Sequence, residues 1–217
     1  MLRGIVFDMD GVIIDSHPAH RAAWKSFLES LGKTTSDTEL DFILDGRKRE
    51  EILKYFLGEL NPKQIAEYGK RKDEILRSHG SGLEPVTGVV EFLDDLAHSG
   101  VRMALATSAS RRRTCGTLQE LGIAHYFETV VTGDEVVAGK PDPAVYRLAA
   151  DRMQESPDHL LAVEDAVSGV KAARAAGMRC LGVAHNSRGD LLRLAGANPI
   201  IEDFRSLSFA KLQASFD

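Results

Sequence analysis

Cysteine is scarce in this chain. Cys115 and Cys180 are the only two in 217 residues, and neither sits in a CxxC setting. They read as two buried or half-buried thiols of a cytosolic protein rather than a disulfide framework. Positive charge is not in excess either. The net charge is −5, which argues against nonspecific binding to nucleic acid or to a membrane surface. No apolar stretch approaches the length of a bilayer span. The N-terminus runs straight into a strand-like segment, so no signal peptide is expected and the cytoplasm is the expected compartment. Internal repeats and low-complexity segments are missing. So is a GxGxxG after the first strand, which excludes a dinucleotide-binding reading. What is present is an ordinary apolar fraction of 43%, enough for a real core in one domain or in a core with a modest insert. Nothing in the pattern demands more than a monomer.

The most informative stretch is Ile5-Val6-Phe7-Asp8-Met9-Asp10-Gly11. The short apolar run reads as a strand buried on both faces. It ends in two carboxylates one residue apart, and extended chain repeats its side-chain direction every two residues, so Asp8 and Asp10 can lean the same way. Gly11 then allows a sharp turn. Two carboxylates this close repel unless a cation or a shared proton relieves them, and Mg²⁺ is the natural relief. A lone DxD would equally suit an acidic turn. Here it follows an apolar strand, at the end where open α/β sheets hold their ligands.

From about residue 17 to 80 the apolar spacing is helical throughout. It gives a stripe through Ala23, Phe27, Leu28 and Leu31, a short helix around Leu40–Leu44, a third from Ile52 to about Leu60, closed by Asn61-Pro62, and a fourth from Ile65 toward His79. Residues 78–85, with Gly80, Ser81, Gly82 and then Pro85, read as a linker. Beyond it, helices (from about 89, 112, 142 and 166) alternate with strands at 102–106, 129–131, 160–163, 179–184 and 199–201. That alternation predicts an α/β fold, a Rossmann-like doubly wound parallel sheet, with an all-helical cap inserted after the first strand. The expected division is residues 1–15 plus 84–217 for the core and 16–83 for the cap.

Three strands end in groups suited to phosphate chemistry: Asp8/Asp10, Thr107/Ser108 and Glu164/Asp165. Lys140 precedes a proline in a loop. In a parallel sheet these ends converge in one crevice. A carboxylate nucleophile, a hydroxyl, a lysine and acids for a metal suffice for phosphoryl transfer. Each residue alone also fits a plainer role: a surface lysine, or a helix N-cap.

Phe-Asp8-Met-Asp10-Gly-Val, Ala-Thr107-Ser108, Gly-Lys140-Pro-Asp and Val-Glu164-Asp165-Ala-Val-Ser-Gly resemble, in order and spacing, the four motifs of the haloacid dehalogenase superfamily. The helical block resembles the cap of the branch that holds phosphoglycolate phosphatases and β-phosphoglucomutases. The resemblance implies that Asp8 forms an aspartyl-phosphate and that Asp10 is the acid/base. It implies that Asp8, the Asp10 carbonyl and Asp165 hold Mg²⁺, with Glu164 close or acting through water, and that Thr107 and Lys140 grip the phosphate. An aspartate at position 10 points to phosphate rather than halide chemistry.

Three basic runs stand out, at 47–49, 70–72 and 111–113. Cations at a helix N-terminus oppose the helix dipole, so an anion near Arg111 to Arg113 would compensate them. His20 and Trp24, four apart, share a helical face. Likeness to the mutases implies that His20 partners Asp10 and that Arg49 and Lys72 grip substrate. Trp24 and Ser108 fall beside them. The mutase Ser-x-Ser-Lys-Asn is replaced here by Thr107-Ser108-Ala109-Ser110-Arg111-Arg112, with Arg111 or Arg112 left to stand for the lysine. The expectation is a Mg²⁺-dependent phosphatase acting on a small-molecule phosphate ester, a sugar phosphate. The alternatives are a β-phosphoglucomutase and, from another class, a receiver-like switch phosphorylated on aspartate.

Overall fold

The computed structural model describes residues 2–78, 84–184 and 188–214. The apolar run Gly4–Phe7 forms β1, buried along its whole length. Strand alternation divides it between two cores. Ile5 and Phe7 face one, with Leu105, Val163, Phe92 and Leu93. Val6 faces the other, with Ala104, Ala162, Tyr146 and Val170. A strand covered on both sides needs this unbroken apolar character.

Among the described residues five further strands follow: β2 (Arg102–Ala106), β3 (Thr129–Val131), β4 (Leu160–Glu164), β5 (Arg179–Val183) and β6 (Ile200–Ile201). Every pairing is parallel, in the order β3-β2-β1-β4-β5-β6. The chain therefore leaves β1 in one direction and returns at β4 on its other side, which opens a crevice at the C-terminal ends of the central strands. Phe7 is in register with both Leu105 and Val163, so the residues just beyond these three strands lie side by side.

After β1 and before α5, the described residues form four helices, α1 (His17–Glu29), α2 (Asp37–Ile43), α3 (Arg49–Leu57) and α4 (Pro62–Ser78). They enclose their own apolar cluster of Trp24, Phe27, Leu28, Leu40, Ile43, Ile52 and Leu53. α3 stops before Leu60 because Gly58 takes a left-handed φ of 79°. Of the expected linker, residues 79–83 lie outside the described residues. Its far end pairs with the outgoing strand, as Asp15 N–H donates to Glu84 at 2.8 Å and Ile14 bridges Pro85. The remaining helices α5 (Val89–His98), α6 (Arg111–Glu120), α7 (Ala144–Met153), α8 (Val167–Ala176), α9 (Gly189–Ala195) and α10 (Phe209–Ala214) belong to the sheet.

The insert sits over the crevice and touches it through the start of α1 and through the loop between α2 and α3. Ser108 Oγ donates to the Gly46 carbonyl at 2.7 Å. Ser168 donates from its backbone to Asp45 Oδ1 at 3.2 Å and from its hydroxyl to the Asp45 carbonyl. Lys48 Nζ reaches the carbonyls of Val136 and of Val137, the latter at 3.2 Å.

Candidate active site

Asp8 follows β1 directly and is 6% exposed. Lys140 enters from the loop before α7. Its ammonium donates to Asp8 Oδ1 at 2.6 Å, to Glu164 Oε1 at 2.6 Å and to the Ala106 carbonyl at 3.3 Å, beneath the Tyr146 ring. Glu164 is fully engaged. Oε1 also accepts from the Tyr146 hydroxyl at 2.7 Å, and Oε2 accepts from the backbone N–H groups of Asp165 and Ala166 at 3.1 and 3.2 Å. Gly169 is required beside it, since a Cβ there would lie 1.9 Å from Glu164 Oε1.

Oxygens of Asp8, Glu164 and Asp165 all lie within 4.8 Å of one another. Burial pushes the Asp8 carboxyl up to about 8; Lys140 opposes this, while Glu164 and Asp165 add to it. Lys140 is held above its ordinary value, because Asp8 and Glu164 outweigh its burial. Three acids against one lysine form an all-oxygen donor set with surplus negative charge. That fits a hard divalent cation. Asp8 and Asp165, with the Asp10 carbonyl, would be its ligands. Glu164, its oxygens already taken, would act by fixing Lys140.

Asp10 turns away from this cluster. Arg113 grips it with both guanidinium nitrogens, at 2.5 Å to each oxygen. Ser16 also donates to it, and His20 Nε2 lies 3.8 Å away. Burial would raise its carboxyl, but Arg113 first and then His20 and Ser16 hold it well below the usual range. His17, at the start of α1, lies 3.1 Å from Asp165 Oδ2. Gly11 (φ 79°) permits this approach, for a Cβ would come within 2.2 Å of the same oxygen.

The insert closes a cleft of about 310 Å³ whose walls include Asp8, Asp10, His20, Trp24, Arg49, Lys72, Thr107, Ser108, Arg113 and Asp165. Thr107 is 1% exposed, and its Oγ accepts from Ala109 N–H at 3.1 Å. One guanidinium nitrogen of Arg49 donates to both oxygens of Asp73, at 2.8 and 2.9 Å. Lys72, 2% exposed, has His20 Nδ1 at 3.0 Å and the Trp24 ring at 5.5 Å. Burial, reinforced by Arg113, pulls its ammonium down to about 7. Burial also holds His20 well below its ordinary value, with Lys72 and Arg113 adding to it.

The structure thus brings every expected site residue except Arg111 to one cleft or, for Lys140 and Glu164, to the buried cluster behind Asp8. Arg111 is exposed, gives its backbone N–H to Asp134 at 2.8 Å, and borders a shallow depression with Cys115 and Arg152. The cation that α6 sends inward is Arg113. Thr114, Thr117 and Leu118 set the buried face of α6, and at about 100° per residue that face lies no nearer Arg113 than Arg111, so helical spacing alone does not single out Arg113. Ser16, His17 and Tyr146 were also missed. Ser16 and His17 follow the first motif closely, but nothing local marks them or Tyr146 as partners of acids.

The chain matches the haloacid dehalogenase-like hydrolase family over residues 5–183, and it belongs to that family. It is 33% identical to a phosphorylated carbohydrates phosphatase of Thermotoga maritima, over 97% of this chain and 99% of that one. It is 35% identical to a fructose-1-phosphate phosphatase of Escherichia coli, over 83% and 95%. Its fold superimposes on the crystal structure of a β-phosphoglucomutase from Clostridium difficile with a TM-score of 0.86 at 20% identity, covering 100% and 97%.

Proposed function

We propose that this hydrolase is a Mg²⁺-dependent phosphatase of small phosphorylated carbohydrates, working through an aspartyl-phosphate on Asp8. One observation carries the reading: the two carboxylates of the first motif have separate partners, Asp8 on Lys140 and Asp10 on Arg113. Asp8 is set for the metal and the phosphoryl group; Asp10, which Arg113 keeps ionised in the empty enzyme, is held apart from it and serves proton transfer once that grip is released. The two phosphatases that share about a third of its sequence support the substrate class.

In this reading Asp8 Oδ attacks phosphorus. The ester P–O bond breaks, and Asp10 delivers a proton to the leaving oxygen. Asp10 then takes a proton from water as its oxygen attacks the phosphorus of the aspartyl-phosphate, which releases inorganic phosphate and restores Asp8. Thr107 and Lys140 hold the non-bridging oxygens through both steps. When bound, Mg²⁺ offsets the negative charge that gathers on those oxygens. Residues 16–83 act as a cap that keeps bulk water out during the first step, over a core of 1–15 and 84–217. Among the described residues no helix is long and apolar enough to cross a membrane; we place the enzyme in the cytoplasm, as a monomer acting on metabolites.

The test is incubation with Mg²⁺ and, separately, p-nitrophenyl phosphate, fructose 1-phosphate and glucose 1-phosphate. Free phosphate over many turnovers is expected. A stoichiometric stop after one phosphate per chain would favour a switch. Glucose 6-phosphate appearing without free phosphate would make the enzyme a mutase.

A further inference from the structure

Transfer of a phosphoryl group through Asp8 and Asp10 gives His17 nothing to do, yet the crevice is built closely around it. His17 is the first residue of α1, and Pro18 in the first helical turn fixes the backbone beside it. Its Nε2 lies 3.1 Å from Asp165 Oδ2. No other described residue gives that oxygen a hydrogen bond, although Asp165 is only 4% exposed. A buried carboxylate oxygen needs a polar partner. Position 11 must be glycine for the two to meet, since a Cβ there would stand 2.2 Å from Asp165 Oδ2 and 2.9 Å from His17 Nε2. The chain that carries Asp165 is held a second time just beyond it, where Ser168 bonds to Asp45 of the insert. His17 is not one of the cation's own ligands. The oxygens of Asp8, Glu164 and Asp165 gather within 4.8 Å of one another, and no histidine nitrogen joins that set among the described residues.

We infer that His17 is a positioning residue for Asp165. It fixes one oxygen of the carboxylate, so that Asp165 meets a divalent cation already oriented. Groups that hold a metal's ligands in this way are worth about ten- to a hundredfold in metal affinity, because an unrestrained ligand gives up rotational freedom when the ion binds. His17 opens the first helix of the insert in sequence, but by contact it belongs to the crevice. The start of α1 thereby serves two of the acids at the strand ends: Ser16 donates to Asp10, and His17 steadies Asp165. The inference rests on the phosphatase reading for the cation that Asp165 binds, and it adds the residue that prepares Asp165 for it.

Calorimetric titration of the full chain with Mg²⁺ tests it. In His17→Ala the Kd for Mg²⁺ should rise at least about tenfold. In His17→Gln, whose side-chain amide reaches where the imidazole nitrogen lies, it should stay within about threefold of wild type. Stoichiometry is read separately from Kd, so an unfolded fraction lowers the first and leaves the second unchanged. Hydrolysis of p-nitrophenyl phosphate should follow: the Mg²⁺ concentration for half-maximal rate rises in His17→Ala, and kcat at saturating Mg²⁺ changes little. An unchanged or lower Kd in His17→Ala overturns the inference and, with turnover intact, leaves the phosphatase reading standing. So does an equal rise in both variants, which would mean that the volume of the ring and not its nitrogen matters. Wild-type enzyme that binds no Mg²⁺ and turns over no ester overturns the phosphatase reading and the inference together.

Discussion

Two buried lysines separate the sheet crevice from the helical insert. Lys140 and Lys72 are 1% and 2% exposed, so both are far from water. Lys140 lies between Asp8 and Glu164, each at 2.6 Å, and is held above its ordinary value. Lys72 has a histidine and an indole ring for company and is pulled down to about 7. The difference is one of completeness. The crevice carries its own counter-charges and an excess of acid that a divalent ion would relieve. In the insert, Arg49 has Asp73, but Lys72 feels Asp73 and Asp10 only from beyond ion-pair distance, too weakly to offset its burial. Substitutions in the crevice should therefore strike chemistry and folding, and substitutions in the insert should strike recognition.

The sharpest break of that contrast is at Asp8. Asp8→Asn should lower turnover of every ester by roughly 10⁴-fold or more, since an amide cannot attack phosphorus. Steady-state phosphate release checks this, and substantial residual activity would remove Asp8 from the reaction. Next is Lys140→Ala, which strands Asp8 and Glu164 without a cation. It should cost about 3–5 kcal/mol of stability in chelator, read from urea unfolding, and added Mg²⁺ should restore part of it.

Lys72→Met should act in the opposite direction. The folded pKa of Lys72, about 7, lies below its unfolded value. The penalty for burying its charge is thus full below pH 7 and fades as pH rises from 7 toward 10.5. The variant should be more stable than wild type at pH 6, on the order of 2 kcal/mol, with a flatter stability curve between pH 7 and 10. Denaturant midpoints at several pH values measure it. A destabilised variant at pH 6 would mean that packing against Trp24 outweighs the charge. The smallest effect is expected at Arg49. Arg49→Ala should raise KM for sugar phosphates by roughly three- to tenfold and KM for p-nitrophenyl phosphate by less. Equal changes on both esters would take Arg49 out of recognition.

How far each region could be read from residues follows the same divide. β1, β2 and β4 are apolar runs that stop at polar pairs, and parallel pairing fixes where strand ends lie relative to one another. Asp8, Thr107 and Asp165 could be grouped on that ground from residues alone, whereas Lys140, in a loop, joined them through the family resemblance. The insert offered no such rule. Three basic residues in a row at 111–113 are equivalent as a string, and only the way α6 sits in the fold brings Arg113 to Asp10 and leaves Arg111 in solvent. Gly58 ended α3 earlier than the proline signal suggested because a left-handed residue stops a helix as firmly.

By itself, the order of residues determined the alternation of strand and helix, the crevice at the strand ends and the acids that line it. These depend on local periodicity and on pairing geometry, both short-range. Only the tertiary structure decided that Arg113 holds Asp10, that His17 meets Asp165, that Tyr146 secures Glu164 and that Lys72 is buried with, among the described residues, no carboxylate within ion-pair distance. Those contacts join segments distant along the chain or depend on how a helix is rotated against the sheet, and no local pattern of residues encodes either.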